Sequence, residues 1–174
     1  MTKIGFAALG SMVLMTELAA HAQQSAVTLD GKTITVKYAP SAMKGRKIFG
    51  AAVPYNQVWK IGDAAAPTLH TDADIVFKGV TVPKGDYSLY VLAAADKWQL
   101  IINKQTGAKA ANHDPKFDLG RVQMTLAKPP ASVENSRITL TKAAAMAAKI
   151  EIAWENTVAT VQFHLDRVAA DSEW

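Results

Sequence analysis

From Thr33 onward the chain alternates apolar and polar residues with a period of two, and that alternation constrains its fold more than any other feature. In KTITVKY, Ile34, Val36 and Tyr38 fall on one face while Thr33, Thr35 and Lys37 fall on the other. The pattern recurs in DYSLYVL (Tyr87, Leu89, Val91), KWQLIIN (Trp98, Leu100, Ile102) and GRVQMTL (Val122, Met124, Leu126). It returns in KIEIAW (Ile150, Ile152, Trp154) and TVQFHL (Val161, Phe163, Leu165). Successive side chains of an extended chain point to opposite sides, so each segment predicts a strand with one face in a core. Turn-forming clusters lie between them at Lys78-Gly79, Pro83 to Asp86, Ala95-Asp96, Thr106-Gly107, Lys128 to Pro130 and Glu155 to Thr157. Short strands joined by turns rather than helices predict an all-β fold, a single antiparallel β-sandwich that is jelly-roll-like. One segment departs from the pattern. TKAAAMAAKI, Thr141 to Ile150, is rich in alanine, which favours helix, but an isolated helix of that length is marginal. Helix and a loop or single turn between two strands both stay open there.

The N-terminal stretch MTKIGFAALGSMVLMTELAAHAQQ has a cation at Lys3, an apolar run of about a dozen residues and a small-x-small pattern at Ala20-His21-Ala22. This predicts a signal peptide over residues 1–22, removed on export, and a single domain over 23–174. The run is too short to span a bilayer, which needs roughly 20 apolar residues, so no membrane span is expected in the mature form. The expected compartment is periplasmic or secreted. The chain contains no cysteine, so neither lipid attachment through cysteine nor a disulfide is available. A mature chain of about 150 residues buries roughly 68 to 70% of its unfolded surface and needs no such staple. The last residues, VAADSEW, are expected to fray. Lys3 and Glu17 leave together, so the net charge of +4 is retained. With no long basic run interleaved with aromatics, nucleic acid is not an expected partner. An anionic envelope surface or solute suits an exported cationic protein better.

The segment GRKIFGAAVPYNQVWKIG, Gly45 to Gly62, reads unlike its surroundings, with glycines, aromatics and cations crowded together. Arg46 suits planar, bidentate recognition of a carboxylate or phosphate and Lys47 acts as a point charge, while Tyr55 and Trp59 offer faces for stacking. These four residues are candidates for holding an anionic or carbohydrate-like small molecule or envelope polymer. The competing reading makes the segment a packed corner, in which Ile48, Phe49, Val53 and Trp59 cover one end of the sandwich and the glycines permit tight bends.

Other chemistries find less support. SAMK, Ser41 to Lys44, matches the Ser-x-x-Lys of acyl enzymes, but the companion motifs are absent and the stretch follows Pro40 in a loop. A metal site would draw on His70, His113 and His164 with Asp72, Asp74 or Asp114, yet the spacing lacks both His-x-His and helical His-x-x-x-His. His164 alternates with Phe163 and Leu165 and should face away from the core, while His70 and His113 read as ordinary loop or strand-end residues. Asp118, Arg121 and Glu134 could form an ion-pair network.

The stretches GRKIFG, VPYNQVWKIG, TDADI, VPKGDYSLYVL, WQLIINKQTG, DLGRV and EIAWENTVATVQF, in that order, resemble the bacterial secreted family DUF2911 over about Thr33 to Phe163. The resemblance implies an exported all-β domain and no particular reaction. Where family members follow the tryptophan with a pattern like R-T-G-A-N-E-A-T, this chain has KIGDAAAPT, with Ala64 and Ala65 at the Asn and Glu positions. Asp63, displaced by two residues, is the acid left to take that place and joins the candidate ligand-binding residues. A second departure follows NKQTG, where AKAANHD replaces a Trp-Gly pair and a tyrosine. The expected function is non-catalytic binding of an envelope solute or polymer, with no catalytic residue, cofactor or metal assigned. The alternatives are a metal-assisted hydrolase or isomerase and a module that contacts an envelope protein.

Overall fold

A computed structural model describes residues 22–62 and 65–167 of the chain. Residues 1–21 of the expected signal peptide, the candidate Asp63 and the VAADSEW tail lie outside the described residues.

The strands are β1 (Gln23–Leu29), β2 (Lys32–Tyr38), β3 (Gln57–Trp59), β4 (Thr68–Thr71), β5 (Ile75–Phe77) and β6 (Val80–Val82), followed by β7 (Gly85–Ala93), β8 (Trp98–Asn103), β9 (Asp118–Ala127), β10 (Val133–Ala144), β11 (Ala147–Glu155) and β12 (Thr157–Leu165). Two short 3-10 turns, η1 (Gly107–Ala111) and η2 (Pro115–Phe117), interrupt the loop between β8 and β9. All ladders between these strands are antiparallel. Their order is β1-β2-β4-β7-β8-β9-β12-β11-β10, with β3 on β7 and β5 on both β12 and β6. Strand β9 joins the two halves. Its residues Asp118 to Met124 pair with β8, whereas Thr125 to Ala127 pair with β12. The path does not close on itself, and the fold is all-β and sandwich-like, as the alternation requires.

The apolar positions picked out by the period of two meet in one core. Ile34, Val36, Leu89, Val91, Leu100 and Ile102 come from one half, and Ile150, Ile152, Trp154, Val161 and Phe163 from the other. Burial of each such side chain contributes about 1.5 to 3 kcal/mol. The Leu140 amide donates to Ser25 Oγ at 2.9 Å, tying β10 back to β1.

The alternation misses the opposite face of the β7–β8 pair. Tyr90 and Ile101 point away from the main core yet are also buried, in a second cluster with Ala66. The Tyr90 hydroxyl donates to the Ala110 carbonyl at 2.7 Å, so the η1 loop is bonded over that outer face. Of the two open readings of the alanine-rich segment, the structure takes the single turn between two strands and not the helix. It forms the tip of the β10–β11 hairpin, with Ala144 opposite Ala147 and Lys142 opposite Ala148 across a two-residue turn. Ala148 is buried against Phe163 of β12. Ladder pairing on both sides of β11 outweighs the small intrinsic preference of alanine for helix. Ser41 to Lys44 makes no helical turn either, which removes the geometry Ser-x-x-Lys chemistry needs.

Candidate functional site

The corner from Gly45 to Gly62 is held at two places. Ahead of it, residues 41–44 run beside the start of β10: the Ser136 amide donates to the Ser41 carbonyl and the Ser41 amide to Ser136 Oγ, each at 2.8 Å. The Glu134 carbonyl accepts from the Met43 amide at 2.9 Å, and the Glu134 carboxylate accepts from the Lys44 amide at 2.9 Å. Glu134 therefore anchors this loop and stands outside the expected network, whereas Asp118 and Arg121 do pair, at 3.0 Å. The second hold is Glu155, in the β11–β12 turn. Its two carboxylate oxygens accept from the backbone amides of Ile48 and Phe49 at 3.1 and 3.2 Å.

Phe49 delivers its ring into an aromatic cluster. It meets Trp98 edge-on at 4.6 Å and Trp59 at 5.7 Å, while Trp59 lies stacked on Trp154 at 5.6 Å with 15° between planes. The Trp154 indole donates to the Glu134 carbonyl at 3.1 Å, which orients that ring. Such contacts add roughly 0.5 to 1.5 kcal/mol each beyond area burial. The backbone beyond Trp59 is strained. Ile61, a buried β-branched residue, sits at φ 57°, a conformation that costs on the order of 1 to 3 kcal/mol. At Gly62, with φ 148°, a Cβ would stand 3.1 Å from the Ala39 carbonyl, so glycine alone fits comfortably.

A cleft of about 440 Å³ opens where this corner approaches the η1 loop. Trp59 and the nearly buried Trp154 supply apolar lining, Arg46 and Lys60 bring positive charge, and Tyr90, Asn112 and His113 complete the lining. Its volume falls within the usual range of small-molecule sites, and the mixture of flat rings with a few polar groups is the usual composition.

Of the candidates from sequence, Arg46 and Trp59 are brought together at this cleft. The Arg46 guanidinium donates from Nε to the Met43 carbonyl and from Nη2 to the Ala42 carbonyl, at 3.0 and 3.1 Å. Nη1 has no partner among the described residues and is available to an anion. Trp59 is only 9% exposed, so it is at once a core residue and a wall. Lys47 is exposed outside the lining, and Tyr55, 40% exposed, lies over Gly50 rather than in the cleft. Lys60, Tyr90, Asn112, His113 and Trp154 were not singled out as binding residues by the sequence. Lys60 adjoins Trp59 and was legible by adjacency, but nothing local announces that Trp154 or the η1 loop reaches the same place.

His113 is the best-supported polar group here. Its Nε2 lies 2.7 Å from Asp118 Oδ1, and its ring packs edge-on against Tyr90 at 5.0 Å. Asp118 also accepts from Asn103 Nδ2 at 2.9 Å and Arg121 Nη2 at 3.0 Å. Burial alone would raise the Asp118 pKa, but hydrogen bonds from Asn103, His113 and Arg121 outweigh it and hold the carboxyl below its ordinary value. Burial, then the charge of Asp118, pushes the Tyr90 phenol upward.

The other histidines stand elsewhere. His70, on the exposed face of β4, bridges Asp86 at 2.7 Å through Nδ1 and Asp72 at 3.0 Å through Nε2. His164 faces away from the core, as its alternation predicts, with Nδ1 3.4 Å from the Val76 carbonyl. Among the described residues no three or more His, Asp or Glu side chains are grouped to hold a metal ion. No helix among them is long and apolar enough to cross a membrane.

No curated protein and no solved structure matches this chain. A family does, described as "Protein of unknown function (DUF2911)", over residues 20–163, a span that includes the corner, the η1 loop and every residue lining the cleft. The chain therefore belongs to the DUF2911 family.

Proposed function

We propose that this is an exported, non-catalytic binding protein whose cleft between the Gly45 to Gly62 corner and the η1 loop takes a small anionic or carbohydrate-like solute, or one unit of an envelope polymer. One observation carries the reading: the exposed part of Trp59 lines the same cleft as Lys60 and Arg46, whose Nη1 has no partner among the described residues. The exposed part of Trp59 offers apolar contact to the ring of a solute and the cations take its charge. A module that only contacts another protein would need no cleft beside Trp59. Export is supported by the signal-like start and by β1, which begins at Gln23, directly after the expected cleavage site.

The test is native mass spectrometry of the mature protein recovered from an exporting host, beside its denatured mass. The expected result is an excess mass that vanishes on denaturation and is lost in an Arg46→Ala/Lys60→Ala variant of unchanged melting temperature. Excess mass that survives this substitution would place the ligand elsewhere and overturn the assignment.

A further inference from the structure

Of the described histidines only His113 lines the cleft; His164, with Nδ1 at the Val76 carbonyl, stands away from it. His70 has both nitrogens taken by carboxylates. In His113 only Nε2 is bonded, to Asp118, while Nδ1 has no partner among the described residues, and the side chain, 12% exposed, lines the cleft. Asp118 is 11% exposed and already accepts from Asn103 and Arg121. The Asn103 amide is itself oriented, because its Oδ1 accepts from the Gln105 amide and its Nδ2 also donates to the Asp114 carbonyl. An ionised carboxylate can only accept, so His113 must donate from Nε2, and the neutral ring then carries its lone pair on Nδ1. The Tyr90 ring against the imidazole and the Tyr90 hydroxyl on Ala110 keep the ring and the η1 loop in register.

We propose that His113, oriented by Asp118, is the hydroxyl-reading group of the cleft, so that the solute is a sugar acid: a ring with a carboxylate for Arg46 and Lys60 and a hydroxyl that donates to His113 Nδ1. This rests on the binding function proposed above and narrows its ligand class. A plain anion would satisfy the two cations but leave the Nδ1 lone pair and the indole wall unused. A neutral sugar would use the wall and the lone pair but leave the cations without a counter-charge. Only a ligand carrying both groups on one ring uses all the surfaces the cleft presents, and a volume of about 440 Å³ accommodates it.

Two probes separate these contributions: methyl β-glucuronide, and cyclohexanecarboxylate, which has the same ring size and charge but no hydroxyls. Binding is read by the fluorescence of the cleft tryptophans. His113→Gln retains a donor for Asp118 and removes the Nδ1 acceptor, its own acceptor Oε1 sitting on the donor-bearing carbon and so away from the place of Nδ1. It should weaken the glucuronide about five- to tenfold, the worth of one hydrogen bond, and leave cyclohexanecarboxylate unchanged. Equal weakening of both probes, or no weakening of either, overturns the role of His113 while leaving the binding function standing. Failure of the unsubstituted protein to bind either probe overturns both. Nitrogen-15 spectra of the histidine rings test the same point without substitution. Nδ1 of His113 should be unprotonated and should shift on adding the glucuronide but not cyclohexanecarboxylate; a protonated Nδ1 or an identical response to both refutes the proposal.

Discussion

Glu155 is the residue whose removal tests how the corner is built. Its carboxylate bonds two successive amides, those of Ile48 and Phe49, across more than a hundred residues of sequence. Glu155→Ala deletes two charge-assisted hydrogen bonds, worth about 1.5 to 3 kcal/mol apiece, and strands both amides beside buried side chains. Because both bonds are part-buried, the lower end applies, and the expected loss is about 3 kcal/mol. For a domain of this size that corresponds to a fall in melting temperature of roughly 6 to 12 °C. Glu155→Gln keeps one acceptor oxygen and should lose about half as much. The assay is urea unfolding followed by tryptophan fluorescence, with the midpoint falling at constant slope. Glu151→Ala is the control: its carboxylate makes a half-exposed pair with Lys149 at 3.3 Å, worth less than about 1 kcal/mol. If Glu155→Ala unfolds at the same midpoint as Glu151→Ala, the corner is held by its aromatic packing alone and the two carboxylate bonds do not anchor it.

Gly120→Ala on β9 should destabilise by about 1 to 3 kcal/mol in the same assay, because the new Cβ would stand 2.6 Å from both methyl carbons of Val80; a neutral effect would mean that β6 yields freely. Below pH 3.8 stability should fall through Asp118: its folded pKa is lowered, so its contribution is complete above the unfolded value and is lost as pH drops through the folded one. Acid unfolding curves of the wild type and Asp118→Asn should converge as pH falls, and parallel curves would refute this. His70 behaves in the opposite sense. Hydrogen bonds donated to Asp86, then to Asp72, raise its pKa, so its contribution is complete below 6.5 and is lost as pH rises through the higher folded value. The group is exposed, so the change should stay under about 1 kcal/mol, and His70→Ala should abolish it.

The strands and their inward faces were legible because a period of two is a local property. Ile34 with Val36, Leu100 with Ile102, and Ile150 with Ile152 could be paired on paper and do pack together. Burial of Tyr90 and Ile101 was not legible, since it comes from segments distant in sequence: the η1 loop bonded to Tyr90, and Ala66 in the cluster with both. The alanine hairpin was half legible: a turn between two strands was one of two open readings, and a weak intrinsic preference could not decide between it and helix without the ladders on either side. At the site, Arg46 and Trp59 were visible as a cluster within one segment, whereas Trp154 and His113 join them only through long-range topology. Lys60 and His113 lie in the stretches KIGDAAAPT and AKAANHD, and residues of both line the cleft.

In the sequence a packed corner and a binding site compete for the same segment, and the geometry leaves room for both. Trp59 contacts Phe49, Trp98 and Trp154 as a member of the core, and the same indole pair lines the cleft. A wall that is also core is preorganised, because its rings are held by packing before any ligand arrives, and binding need not meet the cost of ordering them. The same economy makes Trp59→Ala uninformative about binding: truncating a buried tryptophan costs about 3 to 5 kcal/mol, enough to loosen the corner that carries Arg46 and Lys60. Substitutions at Arg46, Lys60 and His113 would reach the proposed solute from outside the core. Function has therefore to be read from the polar groups around the cleft, and the aromatic residues report on why it keeps its shape.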